Sequence, residues 1–182
     1  MACTFTLNGI SVDCDTNMGG IVAAAIFNRD GLTATQQDDG CITVSEPSSY
    51  DQKNYLKFVS GSNSTLTSTV NIDKSNGTNY VETVVQLQFN VQDHSKAEAI
   101  NQLLNGDFVL VVKDANGEIH YLGYEEAVYI SAGTAQTGSA RTDGNYYQIS
   151  FTDLSAGYPP LISQSASENA WLVTFLNDYR KY

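Results

Sequence analysis

Side chains that commonly bind metals or act as nucleophiles are few in this sequence, and they show no recognised spacing. The two histidines, His94 and His120, do not belong to an HExxH or similar ligand pattern. The three cysteines, Cys3, Cys14 and Cys41, are odd in number and include no CxxC pair. The sequence therefore predicts no metal site and no disulfide framework. We interpret the cysteines as small apolar residues of a reducing compartment.

Two adjacent acidic pairs, Glu125-Glu126 and Asp38-Asp39, are candidates for general acid–base chemistry. We assign residues 125–131 to a strand, where neighbours point to opposite faces, so that Glu125 and Glu126 do not act on one bond. Asp38-Asp39 lies in a polar segment that predicts a solvated loop. No catalytic or cofactor-binding residue is predicted, and we interpret the chain as a protein that is not an enzyme.

The composition is typical of a β-rich protein with an acidic surface. Of 182 residues, 58 are Ser, Thr, Asn or Gln, only 16% are charged, and the net charge is −11. Affinity for nucleic acids comes mainly from Lys and Arg that displace counterions, and the nine basic residues here are scattered. Tight nucleic-acid binding is therefore not expected. The longest apolar run, residues 21–27, is far shorter than the ~20 residues that span a bilayer, so no membrane partner is expected.

Alternation of apolar and polar residues predicts most of the secondary structure. Residues 80–91 alternate for a dozen positions, with Val81, Val85 and Leu87 on one face and polar side chains on the other. Shorter strands are predicted at 21–28, 41–45, 55–60, 108–113, 118–123, 125–131 and 146–154. Residues 61–79 are nearly all polar, which indicates either a long two-stranded excursion or a mobile loop. We predict that this segment contacts another subunit.

One helix is predicted over residues 95–105. Asp93 is of a type that caps helix N-termini, Ile100 and Leu103 recur at helical spacing, and Gly106 is expected to follow the C-terminus. We divide the chain into a single β-rich domain, residues 1–158, and a C-terminal linker and docking segment, residues 159–182.

The C-terminal segment carries an apolar stripe at helical spacing, although its sequence leaves a strand open as an alternative. Trp171, Phe175 and Tyr179 belong to this stripe and are the candidate inter-subunit residues. The alternative interpretation, given equal weight, is that they form the last core element of their own domain.

Several segments together resemble virion structural proteins of tailed bacteriophages that infect gut Bacteroidetes, including crAss-like phages, and in particular tail-tube or tail-ring subunits. The resemblance spans roughly residues 10–155. It rests on Cys14, on Gly19-Gly20-Ile21 opening an apolar strand that ends at Asn28, on the long alternating strand, on Leu103-Leu104-Asn105-Gly106, and on residues 111–123 and 137–151.

The resemblance implies a mainly β fold, a tail-tube-like β-sandwich or barrel with one flanking α-helix and a C-terminal extension. It also implies a non-enzymatic subunit of a homo-oligomeric ring or tube that forms part of the DNA-ejection channel. The expected partners are copies of the chain itself and neighbouring tail or portal-vertex proteins, with DNA passing through the channel without specific binding. The expected location is the virion, assembled in the bacterial cytoplasm.

The charge of the chain bears on how such a channel is lined. A neutral or acidic lining repels phosphates and leaves DNA free to slide, whereas basic side chains hold it. Glu82, Gln86, Gln88 and Asn90, on the polar face of the long strand, are therefore the candidate lumen-facing residues.

A function of another class stays open, namely a carbohydrate-binding or adhesin-like β-sandwich module. Trp171 and the 11 tyrosines would then form a stacking platform for sugar rings.

Overall fold

The computed structural model describes residues 18–37, 40–45, 55–59, 63–164 and 169–177. Within these residues the chain is mainly β, as alternation and composition predict. The elements are, in chain order, β1 Ile21–Asn28, a 3-10 turn Arg29–Gly31, β2 Thr33–Gln36, β3 Ile42–Ser45, β4 Tyr55–Val59, β5 Thr65–Asp73, β6 Thr78–Asn90, α1 His94–Leu103, β7 Phe108–Asp114, β8 Ile119–Leu122, β9 Tyr129–Gln136, β10 Tyr146–Ser155 and α2 Ala170–Asn177.

The strands form two four-stranded sheets and one hairpin, and all neighbours in them are antiparallel. Sheet I has the strand order β4-β1-β7-β8, sheet II has the order β5-β6-β10-β9, and β2 pairs with β3. The hairpin between β7 and β8 turns at Gly117, whose φ of 99° suits glycine, and the Asp114 N–H donates to the Glu118 carbonyl at 2.9 Å. The residues Asp114-Ala115-Asn116-Gly117 are of types that accept a positive φ and indicate this turn from the sequence alone.

The first core lies between sheets I and II. Alternation along β6 buries Val81, Thr83, Val85 and Leu87 on one face, and it leaves Glu82, Val84 and Gln86 half-buried on the opposite face. Side chains of the inner face of sheet I pack against Val85 and Leu87, and Leu103 of α1 closes the same cluster. The flanking helix is thus part of this core.

A second core covers the other face of sheet I. Ala23 and Ala25 of β1 are fully buried there, where their small side chains permit close packing. The hairpin β2–β3 and helix α2 supply the covering side chains, with Leu172 and Leu176 of α2 fully buried. Sheet I is therefore the middle layer of three, and both of its faces are covered.

The segment around Ile162 joins sheet I to the hairpin. The Ile162 N–H donates to the Ile119 carbonyl of β8 at 2.8 Å, and the Ile42 N–H of β3 donates to the Leu161 carbonyl at 2.8 Å. Ile162 itself is buried in the second core. Residues 159–164 and 169–177, which we assigned to a linker and docking segment, therefore contribute to the core of the same chain.

Two local expectations were wrong. Glu125 and Glu126 lie exposed in the loop before β9, which begins only at Tyr129. Helix α1 ends at Leu103, and Gly106 does not have a positive φ; a Cβ there would overlap the ring of Phe108. Helix α2 matches the helical spacing of the C-terminal apolar stripe, for which a strand was the open alternative.

Candidate functional site

The most distinctive surface of the described residues is the face of sheet II that points away from sheet I, here called the open face. None of its side chains belongs to either core cluster within the described part of the chain. Strand register places on it, by alternation, Thr65, Thr67, Thr69, Asn71 and Asp73 of β5, Thr78, Tyr80, Glu82, Val84, Gln86, Gln88 and Asn90 of β6, Tyr146, Gln148, Ser150, Thr152 and Leu154 of β10, and Tyr129, Ala132, Thr134 and Gln136 of β9.

The open face is neutral and polar in a strongly acidic protein. Glu82 is its only charged residue apart from Asp73, which lies at the end of β5, and it carries no lysine or arginine. Most of its side chains are threonines, glutamines, asparagines and serines. The many carboxylates of the chain thus lie elsewhere, and a ligand or partner on this face meets hydrogen-bonding groups with little charge.

Neighbouring side chains on the open face hydrogen-bond to one another across and along the strands. The Tyr146 hydroxyl donates to Oε1 of Gln136 at 3.1 Å, and Nε2 of Gln88 donates to Oδ1 of Asn90 at 3.1 Å. Thr152 is 3% exposed, and its hydroxyl donates to that of Ser131 at 2.8 Å. These contacts hold part of the polar surface in fixed orientations.

The four candidate lumen-facing residues share this face. Glu82, Gln86 and Gln88 are half-buried between the strands that flank β6, and Asn90 is exposed at the end of the strand. Sequence reasoning found one strand of the surface and missed the three others. The signal for them was present in the alternation of residues 146–154 and in the odd-numbered threonines of 65–69, but pairing them with β6 required the register.

The polar segment 61–79 includes β5, which pairs with β6 over its whole length, from Thr65 opposite Gln86 to Asp73 opposite Thr78. It therefore contains one arm of a two-stranded excursion. Val81 is the last β6 residue that pairs with β10. Residues 71–73 and 78–80, at the tip of the β5–β6 hairpin, pair only with each other among the described residues. Val70 and Ile72 are 42% and 63% exposed. Residues 61–62 lie outside the described residues, and the role of the segment in subunit contacts stays a prediction.

Two of the three candidate inter-subunit residues contact their own chain. The rings of Trp171 and Phe175 lie with their centroids 6.3 and 6.1 Å from that of Phe27 on β1. Nε1 of Trp171 donates to the Val44 carbonyl at 3.0 Å. These positions correspond to the second interpretation of the stripe, a last core element. Tyr179 lies outside the described residues.

A buried carboxyl marks the place where the two sheets meet. Asp153 of β10 is 3% exposed, and its Oδ1 accepts a hydrogen bond from the Gly123 N–H at 3.2 Å. Burial raises the pKa of Asp153, the Gly123 N–H and the Ser155 hydroxyl lower it, and the charges of Glu125 and Glu126 raise it further. Through the Gly123 hydrogen bond this carboxyl joins β10 of sheet II to the end of β8 in sheet I.

The histidines do not form a metal site in the described part of the chain. Nε2 of His120 lies 3.6 Å from Oδ2 of Asp114, and both residues line a crevice of about 220 Å³. His94 is the first residue of α1 and does not line this crevice. Among the described residues, no group of three or more His, Cys, Asp or Glu side chains is placed to hold a metal ion. No helix of the described residues has both the length and the apolar character needed to cross a membrane.

Comparisons with known proteins identify no relative. No family model matches the chain, and neither a curated protein nor a solved structure matches it.

Proposed function

We propose that this chain is a non-enzymatic structural subunit of a bacteriophage tail, which assembles with copies of itself into a ring or tube around a channel for DNA. The observation that carries the proposal is the open face, a four-stranded surface of neutral polar side chains with Glu82 as its only central charge. The tail-protein resemblance of residues 10–155 supports the same function.

A channel for DNA must not hold the DNA that passes through it. DNA binds surfaces on which Lys and Arg displace its counterions, and each such contact slows its passage. A surface with hydrogen-bonding groups, one central carboxylate, a second at its end and no basic residue stays wetted by water and repels phosphates. The open face has this composition, which suits sliding contact better than it suits recognition.

Electron microscopy of the purified chain in negative stain tests the assembly directly. Rings or short tubes are the expected result, and dispersed monomers at high protein concentration would contradict the proposal. In the virion, the expected partners are neighbouring tail or portal-vertex proteins, and the chain is expected to assemble in the bacterial cytoplasm.

Lysine substitutions on the open face test the channel. The triple variant with Glu82→Lys, Gln86→Lys and Gln88→Lys is expected to form rings and to retain double-stranded DNA at low salt, with retention that falls steeply as salt rises. Genome ejection from reconstituted particles should slow. The control carries Glu98→Lys, Asn101→Lys and Gln102→Lys, all on the exposed side of α1, and has the same net charge. Equal DNA retention by both variants would contradict a channel lined by the open face.

The carbohydrate-binding alternative has less support. Trp171 is half-buried and packs against Phe27 in the second core, which lies on the far side of sheet I from the open face. Tyr80, Tyr129 and Tyr146 do lie on the open face, but on three different strands and at three different levels along them. Binding of a glycan by the wild-type chain, lost when these three tyrosines are replaced by alanine, would favour the alternative.

A further inference from the structure

The two edges of sheet II are unusual for a protein that stays monomeric. Within the described residues, no strand pairs with the outer edge of β5 or of β9. Strand β9 contains no charged residue, and β5 contains only Asp73 at its end. Exposed edges are normally protected by charges, prolines or covering segments, because unpaired N–H and C=O groups recruit other strands. In sheet I, by contrast, Pro160 and Ile162 cover the edge of β8.

The two edges are also compatible with each other. Because four strands alternate in direction, β5 and β9 run in opposite directions, and head-to-tail addition of a second copy continues the antiparallel pattern. Both have similar lengths, Thr65–Asp73 and Tyr129–Gln136. Strand β9 has a register shift against β10 between Ala132 and Ile130, so its alternation is regular over residues 132–136. We infer that β5 of one copy pairs with this part of β9 of the next, with the ends aligned at Thr65 opposite Gln136 and hence Thr67 opposite Thr134, so that sheet II becomes continuous around a closed ring. This inference rests on the proposed function and supplies its subunit contact.

The stagger of the sheet sets the geometry of such a ring. Thr69 lies level with Glu82 of β6, whereas Ala132, its partner in the proposed register, lies level with Gln86 through Ser150. Each new copy is therefore displaced along the strand direction by four residues, about 13 Å. The four strands that one copy contributes are together about 19 Å wide. The resulting tilt of about 35° to the ring axis falls at the lower end of the range found in closed barrels. A sheet without this stagger would give strands parallel to the ring axis.

The direction of the stagger identifies the inner face. The Val91 N–H donates to the Asn145 carbonyl, one step beyond the register of β6 with β10. Odd-numbered residues of β6 therefore bond to β10, and even-numbered residues, whose side chains form the open face, bond to β5. For L-amino acids, a side chain that points at the viewer from an upward strand has its own N–H and C=O on the right. Seen from the open face with β6 upward, β5 is thus on the right and low, and β9 is on the left and high.

A copy added on the right in this view is displaced downward, so the strands of the closed ring lean to the left. The fixed right-handed twist of strands makes barrel strands lean to the right when they are seen from outside. The view from the open face is therefore a view from inside the ring. Chirality and stagger thus place the open face, and with it Gln86 and Gln88, on the channel side, independently of its composition.

Disulfide trapping tests the register. In the proposed interface Thr67 and Thr134 form a non-hydrogen-bonded pair with Cα atoms about 4.5 Å apart, within the range of a disulfide. The variant Thr67→Cys/Thr134→Cys, with the three natural cysteines replaced by alanine, is expected to give cross-linked closed rings on oxidation. The matched control Thr67→Cys/Ala132→Cys places its cysteines diagonally, about 7–8 Å apart, and should not cross-link.

The outcomes separate the inference from the proposed function. Rings seen by microscopy, with cross-links absent from the first pair or stronger in the control, would overturn the edge pairing and leave the ring proposal standing. If the first pair gives cross-linked rings but the open-face lysine variant retains no more DNA than its control, the channel function is contradicted and the edge pairing is supported.

The face is tested separately in assembled rings that carry a single cysteine. Gln86→Cys is expected to react with a small maleimide and not with one coupled to a folded protein, whereas Glu98→Cys on α1 should react with both. Equal reaction of Gln86→Cys with both reagents would place the open face outside and overturn the inference.

Discussion

Sheets I and II have the same number of strands and the same antiparallel pattern, yet they differ in how much of their surface is covered. Sheet I is packed on both faces, and its β8 edge is extended by the backbone around Ile162. Sheet II is packed on one face, and its other face and both edges are uncovered by the described residues. Sheet I therefore contributes mainly to the stability of the fold, whereas sheet II leaves a face and two edges that the described residues do not cover.

The difference is visible in the residues of the central strands. Strand β7 of sheet I has the sequence FVLVVKD and is buried over its first five residues, which is typical of a strand covered on both sides. Strand β6 of sheet II alternates between buried and half-buried residues. Neutral polar side chains on one face and apolar ones on the other are what a subunit needs when it keeps its own core and still presents a wetted surface.

The largest expected effect is on the free energy of unfolding, which should fall far more when a core side chain of sheet I is truncated than when a side chain of the open face is. Leu110 of β7 is fully buried in the first core, so Leu110→Ala is expected to lower the free energy of unfolding by about 2–5 kcal/mol. Gln86→Ala on the open face is the matched control, and it should change the free energy by no more than about 0.5 kcal/mol. Urea unfolding followed by tryptophan fluorescence measures both. Similar losses in the two variants would mean that the open face is covered in the folded subunit.

An intermediate loss of stability is expected when the contact between the start of α2 and the hairpin β2–β3 is removed. Asn169 is fully buried; its Oδ1 accepts from the Val44 N–H at 2.7 Å, and its Nδ2 donates to the carbonyls of Ile42 and Ser163. Asn169→Ala leaves these backbone groups without their partner, at a cost of about 1–3 kcal/mol.

Asn169→Asp is the sharper comparison, because it keeps an acceptor for Val44 and loses both donated bonds. We expect it to be destabilised as well, increasingly so as the introduced carboxyl ionises. Unfolding curves for both variants that match the wild type would show that α2 contributes nothing to the covering of sheet I.

Much of this arrangement was predictable from the sequence, and the reasons are local. Alternation located β6, the Asp-Ala-Asn-Gly turn located the β7–β8 hairpin, and Asp93 marked the start of α1, where its carboxylate accepts from the Lys96 N–H at 2.8 Å. The second core was not predictable in the same way. Ile42, Ile162 and Leu172 come from distant parts of the chain, and no short-range pattern indicates that they meet on the far face of sheet I.

The candidate site was predicted in part for the same reason. Glu82, Gln86 and Gln88 share a face because the period of a strand is two, which the sequence displays. The free edges of β5 and β9 and the stagger between them depend on which strands are neighbours, and antiparallel pairing between distant segments is not encoded in either segment alone.

The smallest effect is expected at the junction between the sheets, and it depends on pH. Burial raises the pKa of Asp153, so the folded protein keeps a proton that the unfolded chain releases. Stability from this group is therefore complete below the ordinary pKa of an aspartate, near 4, and is lost as pH rises through the raised value. Asp153→Asn keeps an acceptor for the Gly123 N–H and does not ionise. The wild type should lose stability relative to this variant as pH rises above about 4.

A carboxyl on the surface supplies the control with the opposite sign. Hydrogen bonds from the Ala140 and Ser139 N–H groups and from the Ser139 hydroxyl lower the pKa of Asp143. The wild type should therefore gain stability relative to Asp143→Asn as pH rises through the acidic range. Thermal unfolding of the three proteins at several pH values measures both differences. If the wild-type and Asp153→Asn curves run parallel, the carboxyl of Asp153 is solvated in the folded protein, and sheets I and II meet less closely there than the Gly123 hydrogen bond indicates.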